Sequence, residues 1–187
     1  MLPAIQGLYD PQNEHDNCGA GFICSLKGKK TNNIIHKALD ILDCLEHRGA
    51  VSADGKTGDG AGILIEIPHD FLLEQCEFKL PELHQYAVGM VFLPKKENQR
   101  SFCVSVLENE VKKQGLDVLG WRKVPVDSGV VGSIAALTEP VIMQIFIGRG
   151  SESLSDHEFN IKLFCARKIS EHTISQSKLS QASYFYL

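Results

Sequence analysis

The chain has 187 residues, with 19 Lys or Arg against 23 Asp or Glu and a net charge of −4. That length suits one domain with a sizeable core, and the slight acidic excess gives no electrostatic case for nucleic acid or an anionic membrane. No apolar run approaches the ~18 residues of a membrane span, and Met1-Leu2-Pro3-Ala4-Ile5-Gln6-Gly7 lacks the basic region and apolar stretch of a secretory signal.

Residues 1–17 read as a separate leader: Tyr9-Asp10-Pro11-Gln12-Asn13-Glu14-His15-Asp16 is polar, carries a proline and has no periodicity. The leader meets a glycine-softened apolar run at Asn17-Cys18-Gly19-Ala20-Gly21-Phe22-Ile23. Cleavage between Asn17 and Cys18 would give a chain that starts on cysteine, with a thiol nucleophile and a free amine on one residue. Such an amine has a pKa of roughly 7.7–8.0 and accepts a proton near neutral pH; as an amide it cannot. Taken alone, one cysteine reads more simply as a buried structural residue. The six cysteines (Cys18, Cys24, Cys44, Cys76, Cys103 and Cys165) include no CxxC pair. They suggest no disulfide framework, zinc site or cluster motif, and a reducing compartment is the simplest reading.

Gly21 to Leu26 reads as a short strand with Cys18 at its lip. Thr31-Asn32-Asn33 offers N-cap oxygens to a helix on which Ile35, Ala38, Leu39, Leu42 and Leu45 recur at helical spacing. This helix ends in Glu46-His47-Arg48-Gly49-Ala50, with Gly49 as the residue past its end. Arg48 then stands at a helix exit, where a guanidinium can grip a carboxylate through two parallel hydrogen bonds. The plainer reading is a solvated charge, which a helix C-terminus favours anyway.

Ser52-Ala53-Asp54-Gly55-Lys56-Thr57-Gly58-Asp59-Gly60-Ala61-Gly62 places four glycines in a short span, which means tight turns or close backbone approach. It is not a phosphate loop. Gly55-Lys56-Thr57 comes early rather than opening a helix, and Ala50 stands where the first Walker glycine should fall. Ile63 to Ile67 reads as a strand stopped by Pro68, Asp70 to Phe78 as a short helix, and Tyr86 to Leu93 as a strand. Gln99 to Gln114 reads as a helix with Phe102, Val106 and Glu110/Val111 along one side and Gly115 as its stop. Leu119 to Asp127 is extended, Val141 to Ile147 is a strongly apolar strand, and Asp156 can cap a helix carrying Phe159, Leu163, Ala166, Ile169 and Ile174. Residues 175–183 connect to a strand opening at Tyr184-Phe185-Tyr186-Leu187, which looks cut short. The alternation of strands and helices implies layers of sheet and helix.

Several stretches together resemble the N-terminal glutaminase domain of the glutamate synthase large chain, a class II (N-terminal nucleophile) glutamine amidotransferase. They are Leu8-Tyr9-Asp10-Pro11 with Glu14-His15-Asp16-Asn17-Cys18-Gly19-Ala20-Gly21-Phe22, Glu46-His47-Arg48-Gly49-Ala50, Thr57-Gly58-Asp59-Gly60-Ala61-Gly62-Ile63, Gly120-Trp121-Arg122-Lys123-Val124-Pro125 and Pro140-Val141-Ile142-Met143-Gln144. His-Arg-Gly is widespread in class II amidotransferases; the glycine-rich loop and the Gly-Trp-Arg segment point to glutamate synthase.

The resemblance implies an α+β fold, the four-layer αββα sandwich of the N-terminal nucleophile hydrolases, incomplete at the C-terminus. It implies a propeptide over residues 1–17 and the N-terminal part of an amidotransferase domain over 18–187. Cys18 would be the nucleophile that hydrolyses glutamine through a thioester, and Arg48 would hold the glutamine α-carboxylate. No metal or cofactor is implied in this segment. The full enzyme would use FMN, an iron–sulfur cluster and NAD(P)H or ferredoxin, pass ammonia to 2-oxoglutarate, and work with downstream synthase domains and a small electron-donating subunit. Its place would be the cytoplasm, or a plastid in a eukaryote. The family draws its oxyanion hole from an Asn-Gly pair, and no Asn-Gly dipeptide occurs here. Loss of an oxyanion donor costs ~10²–10³ in rate, so the chain alone is expected to be little active. The alternatives are another class II amidotransferase, or an inactive glutamine-sensing or scaffold domain. Cys24, Cys44 and Cys165 are expected in the core.

Overall fold

The computed structural model describes residue 7, residues 19–151 and residues 153–177. Cys18, the Asn17–Cys18 junction and the strand expected from Tyr184 lie outside the described residues. The chain divides into two compact units, one running to Leu64 with Gly132–Ile134 added, the other comprising Ile65–Val131 and the chain from Ala135 onward.

The second unit is built on a three-stranded antiparallel sheet in the order β1-β3-β2, with β1 at Tyr86–Leu93, β2 at Asp117–Lys123 and β3 at Val141–Gly148. β3, the most apolar strand, takes the centre. It pairs along its whole length with β1, from Tyr86 opposite Gly148 to Leu93 opposite Val141. Its pairing with β2 slips by a bulge between Val118 and Gly120. Because side chains alternate across a strand, β3 feeds two cores. Ile145 and Ile147 join Val91 and Leu93 on one face, under α3 (Glu97–Lys113) and α5 (Asp156–Gln176). Phe146 joins Tyr86, Leu72 and Leu80 on the other face, beside α2 (His69–Gln75), with the Phe78 ring edge-on to Phe146 at 5.2 Å. Ile145 and Phe146, adjacent in sequence, are both fully buried, so the sheet is covered on both sides of its central strand.

α3 turns Cys103, Leu107 and Val111 inward, at i, i+4 and i+8. Of the line expected along one side, Glu110 and Val111 are buried, while Phe102 and Val106 are only partly buried, their places taken by Cys103 and Leu107 one position round the helix. Trp121 of β2 reaches this helix, its indole N–H donating to Glu108 Oε1 at 2.8 Å. The helix stops at Gly115, whose φ of +73° suits glycine; the Gly115 and Leu116 N–H groups turn back to the carbonyls of Lys112 and Val111 at 2.9 and 3.2 Å. α5 is capped by Ser155 rather than Asp156: the Ser155 hydroxyl accepts from the Glu158 N–H at 3.3 Å while Glu158 accepts from the Ser155 N–H at 2.9 Å. Asp156 instead pairs with Arg149, whose guanidinium lies 4.7 Å from the centre of the Phe159 ring.

The first unit holds α1 (Asn32–Cys44) and a 3-10 turn at Glu46–Arg48. Two expected strands are absent: residues 21–26 and 63–67 are irregular. Among the described residues they pair with no strand, and Leu26 and Leu64 are wholly exposed. The expected core cysteines also sit differently. Cys24 and Cys44 are exposed and Cys165 is half-buried, whereas Cys103 is the buried one among the described cysteines; α1 has no buried residue, so a thiol on it has no core to enter. A short helix unforeseen in the sequence, α4, spans Ser133–Ala136. Among the described residues no helix is long and apolar enough to cross a membrane.

Candidate functional site

Thr31 is the N-cap of α1 by its extended backbone, but its hydroxyl makes no capping bond. After Cys44 the coil tightens: the Arg48 N–H reaches the Leu45 carbonyl at 2.8 Å and the Gly49 N–H reaches that of Glu46 at 3.0 Å. His47 is pinned back to the Cys44 carbonyl through Nδ1 at 2.9 Å. Arg48 is the last residue of this turn and is exposed.

The segment from Gly19 to Gly21 lies on α1 and this turn. A β-carbon built on Gly19 would stand 3.4 Å from both Cβ and Cγ of Arg48 and 3.0 Å from Leu45 Cδ2. One built on Gly21 would stand 2.7 Å from Ile41 Cγ2. Gly19 and Gly21 thus let residues 19–21 press onto α1 and its exit, and they bring the residue next to Cys18 against the Arg48 stem. Of the two sequence-derived site positions, Arg48 is described and Cys18 lies outside the described residues.

The glycine-rich stretch after Arg48 is an ordered hairpin. The Ala50 N–H donates to Asp59 Oδ2 at 2.8 Å, Val51 and Gly58 form an antiparallel bridge, and the Ser52 N–H donates to the Thr57 carbonyl at 2.7 Å. At its tip Asp54 gathers donors on both oxygens. Oδ1 accepts from the N–H groups of Lys56 and Thr57 at 3.1 and 2.8 Å. Oδ2 accepts from the Thr57 hydroxyl at 2.6 Å, the Ile134 N–H at 3.1 Å and the Ser133 hydroxyl at 3.4 Å. These bonds, the Thr57 hydroxyl first and then the Thr57 and Ile134 N–H groups, hold the Asp54 carboxyl far below the usual carboxylate range, against a smaller opposing effect of desolvation.

Gly132 completes the joint. A β-carbon there would meet the Thr57 hydroxyl and come within 2.7 Å of Asp54 Oδ2 and of the Thr57 nitrogen. Asp54, Asp59 and Gly132 had no role in the sequence reading. The spacing of Asp54 and Thr57 carried a signal, since an Asp side chain readily bonds the backbone two or three residues on. Gly132 had none.

The sequence pattern of the class-II glutamine amidotransferases matches residues 18–187, beginning on Cys18. The chain belongs to this family. This amidotransferase is 42% identical over 173 residues, 92% of its length, to the glutamate synthase (NADPH) large chain of Bacillus subtilis (strain 168). It is 41% identical to the glutamate synthase (NADH) of Saccharomyces cerevisiae over 90% of its length, and 36% identical to the chloroplastic/mitochondrial ferredoxin-dependent glutamate synthase 1 of Arabidopsis thaliana over 99%. It spans only 11%, 8% and 12% of those relatives.

Proposed function

We propose that this chain is the glutamine-hydrolysing part of a glutamate synthase, with Cys18 as nucleophile and Arg48 as the anchor of the substrate carboxylate. The observation that carries the reading is the seating of Gly19, the residue after Cys18, on the stem of Arg48. Removal of residues 1–17 frees the Cys18 amine. Arg48 fixes glutamine by two parallel hydrogen bonds to its α-carboxylate, leaving the side-chain amide at the thiol. The Cys18 amine takes the thiol proton as sulfur bonds to the amide carbon. The proton then passes to the departing nitrogen, so ammonia leaves and a glutamyl thioester remains. Water attacks the thioester, gives glutamate and returns the proton to sulfur.

In the full protein the ammonia would pass to 2-oxoglutarate, which is aminated and reduced with electrons from NADH, NADPH or ferredoxin. The FMN and iron–sulfur cluster of the full enzyme would belong to other parts of the polypeptide, with a small subunit as electron donor, in the cytoplasm or a plastid. The sheet of β1, β3 and β2 with α3 and α5 on one face would supply two of the four αββα layers.

The test is Cys18→Ala in the complete polypeptide. Glutamine-dependent glutamate formation should vanish while ammonia-dependent formation persists. Glutamine-dependent turnover that survives the change would overturn the assignment. The isolated 187-residue chain, lacking an Asn-Gly pair, should hydrolyse glutamine at least ~10²-fold more slowly than the complete protein.

A further inference from the structure

Burial along the central strand β3 changes half-way: Val141–Gln144 are half-buried and Ile145–Gly148 are buried. On the face away from α3 and α5, Leu72 of α2 and the Phe78 ring close over Phe146 and Gly120. Strand alternation puts Gln144 and Ile142 on that same face, in two rows that stay open. Met90, Gln144 and Arg122 stand side by side across the sheet in the first row. Phe92 pairs with Ile142 in the second, where the Val124 N–H donates to the Ile142 carbonyl at 3.1 Å. Met90 keeps 42% of its surface exposed, and Phe92, Ile142 and Val124 are half-buried. None of these four joins either hydrophobic cluster. An antiparallel sheet face left to water is polar, and this one is mainly apolar.

The two polar residues hold each other: Arg122 Nη1 donates to Gln144 Oε1 at 2.8 Å. The guanidinium also lies 5.6 Å from the centre of the exposed Phe71 ring. Arg122 is half-buried, and no carboxylate among the described residues pairs with it. A guanidinium has several N–H donors and its two-pronged match is a carboxylate, whereas Gln144 offers one neutral oxygen. A charge partly withdrawn from water among apolar side chains calls for an opposite charge.

We propose that this open half of the sheet is a docking surface for a part of the same polypeptide beyond residue 187, an apolar surface carrying an Asp or Glu that pairs with Arg122. The proposal rests on the reading of the chain as part of a glutamate synthase. The chain spans 11%, 8% and 12% of three glutamate synthases, so a polypeptide of their length has ample chain to supply the occupant. The unpaired guanidinium sets the occupant's charge. A second copy docked face to face would instead bring two guanidinium groups together, which like charge opposes. Aromatic residues, Met and Arg are also the types that interface cores favour.

The experiment uses the complete polypeptide and reads Met90, whose thioether hydrogen peroxide converts to the sulfoxide where it is accessible. Oxidation should be at least about fivefold slower in the folded polypeptide than in urea; 42% exposure alone gives little more than about twofold. A slowing below fivefold overturns the proposal. Arg122→Met, close in length and uncharged, leaves the occupant's carboxylate unpaired and should raise the rate at least about threefold. An unchanged rate overturns the proposal. A benzophenone-bearing amino acid placed at position 90 then identifies the occupant, whatever Arg122→Met does to folding. Cross-linking within one polypeptide to a peptide beyond residue 187 that contains Asp or Glu supports the proposal. A product of twice the polypeptide mass, a link to residues 1–187, or no link overturns it. Glutamine-dependent glutamate formation by the same preparation keeps two failures apart. A parent inert with glutamine sinks the function assigned to the chain, whereas an active parent with a freely oxidised Met90 sinks only the docking surface.

Discussion

The two units are held together by different means. In the sheet unit, Val91, Leu93, Leu107, Val111, Ile145 and Phe146 have no exposed surface at all. In the unit that carries Arg48, Gly132 is the one buried position among the described residues. One unit is cemented by apolar area. The other is cemented by a carboxylate, backbone amides and glycines that allow close approach. Burial of apolar surface tolerates some sliding, whereas a hydrogen-bonded joint fixes direction over a few ångströms and opens at low cost. Arg48 stands exposed in this unit, and where so little apolar surface is buried a polar joint is the available way to hold a turn in place.

The sharpest way to break this contrast is a cavity in the sheet unit. Leu107→Ala should cost about 2–5 kcal/mol, lowering hydrogen-exchange protection through α3 and β3 while the Thr57 and Ile134 amides keep theirs. If the hairpin loosened equally, the two units would be one cooperative body and the comparison would fall. A smaller effect is expected from Gly132→Ala, which forces a methyl against Thr57 and Asp54 and should cost about 1–3 kcal/mol. Its loss of protection should be confined to residues 50–59 and 132–134.

The smallest effect is that of acid. Asp54 has a folded pKa below its ordinary value, so its stabilisation is fully present above the ordinary carboxylate range near ~4 and is lost as pH falls through the folded value. Protection of the Thr57 amide, corrected for intrinsic exchange, should hold steady from pH 7 to 5 and fall under stronger acid. Asp54→Asn should remove that acid dependence; its persistence in the variant would mean that another group staples the hairpin.

The elements with strong local chemistry were legible. β1 occupies the residues read for it, and β3 extends one residue past its reading, because aromatic and β-branched runs bounded by Pro94 and Gly148 fit a pleated strand. The long helix carrying Phe159, Ala166 and Ile174 was legible from its helical spacing, and Arg48 before Gly49 does end a coil, though α1 itself stops at Cys44 and a 3-10 turn carries the chain on to Arg48. The failures are non-local. Residues 21–26 and 63–67 have strand-like composition, but a strand needs a neighbour, and composition does not say whether one is there. The Asp54 joint links residues 80 positions apart, a pairing no local pattern encodes. Cys24 and Cys44 illustrate the same gap, since a small apolar residue is buried only if some other part of the chain arrives to cover it.

Trp121 is the one tryptophan of this sequence, and its indole donates to Glu108 across the seam between β2 and α3. The segment therefore carries a native fluorophore at a single address. Its emission colour records how closely that helix is seated and whether a carboxylate stands at the indole nitrogen, so optical spectroscopy can follow this seam without any attached dye.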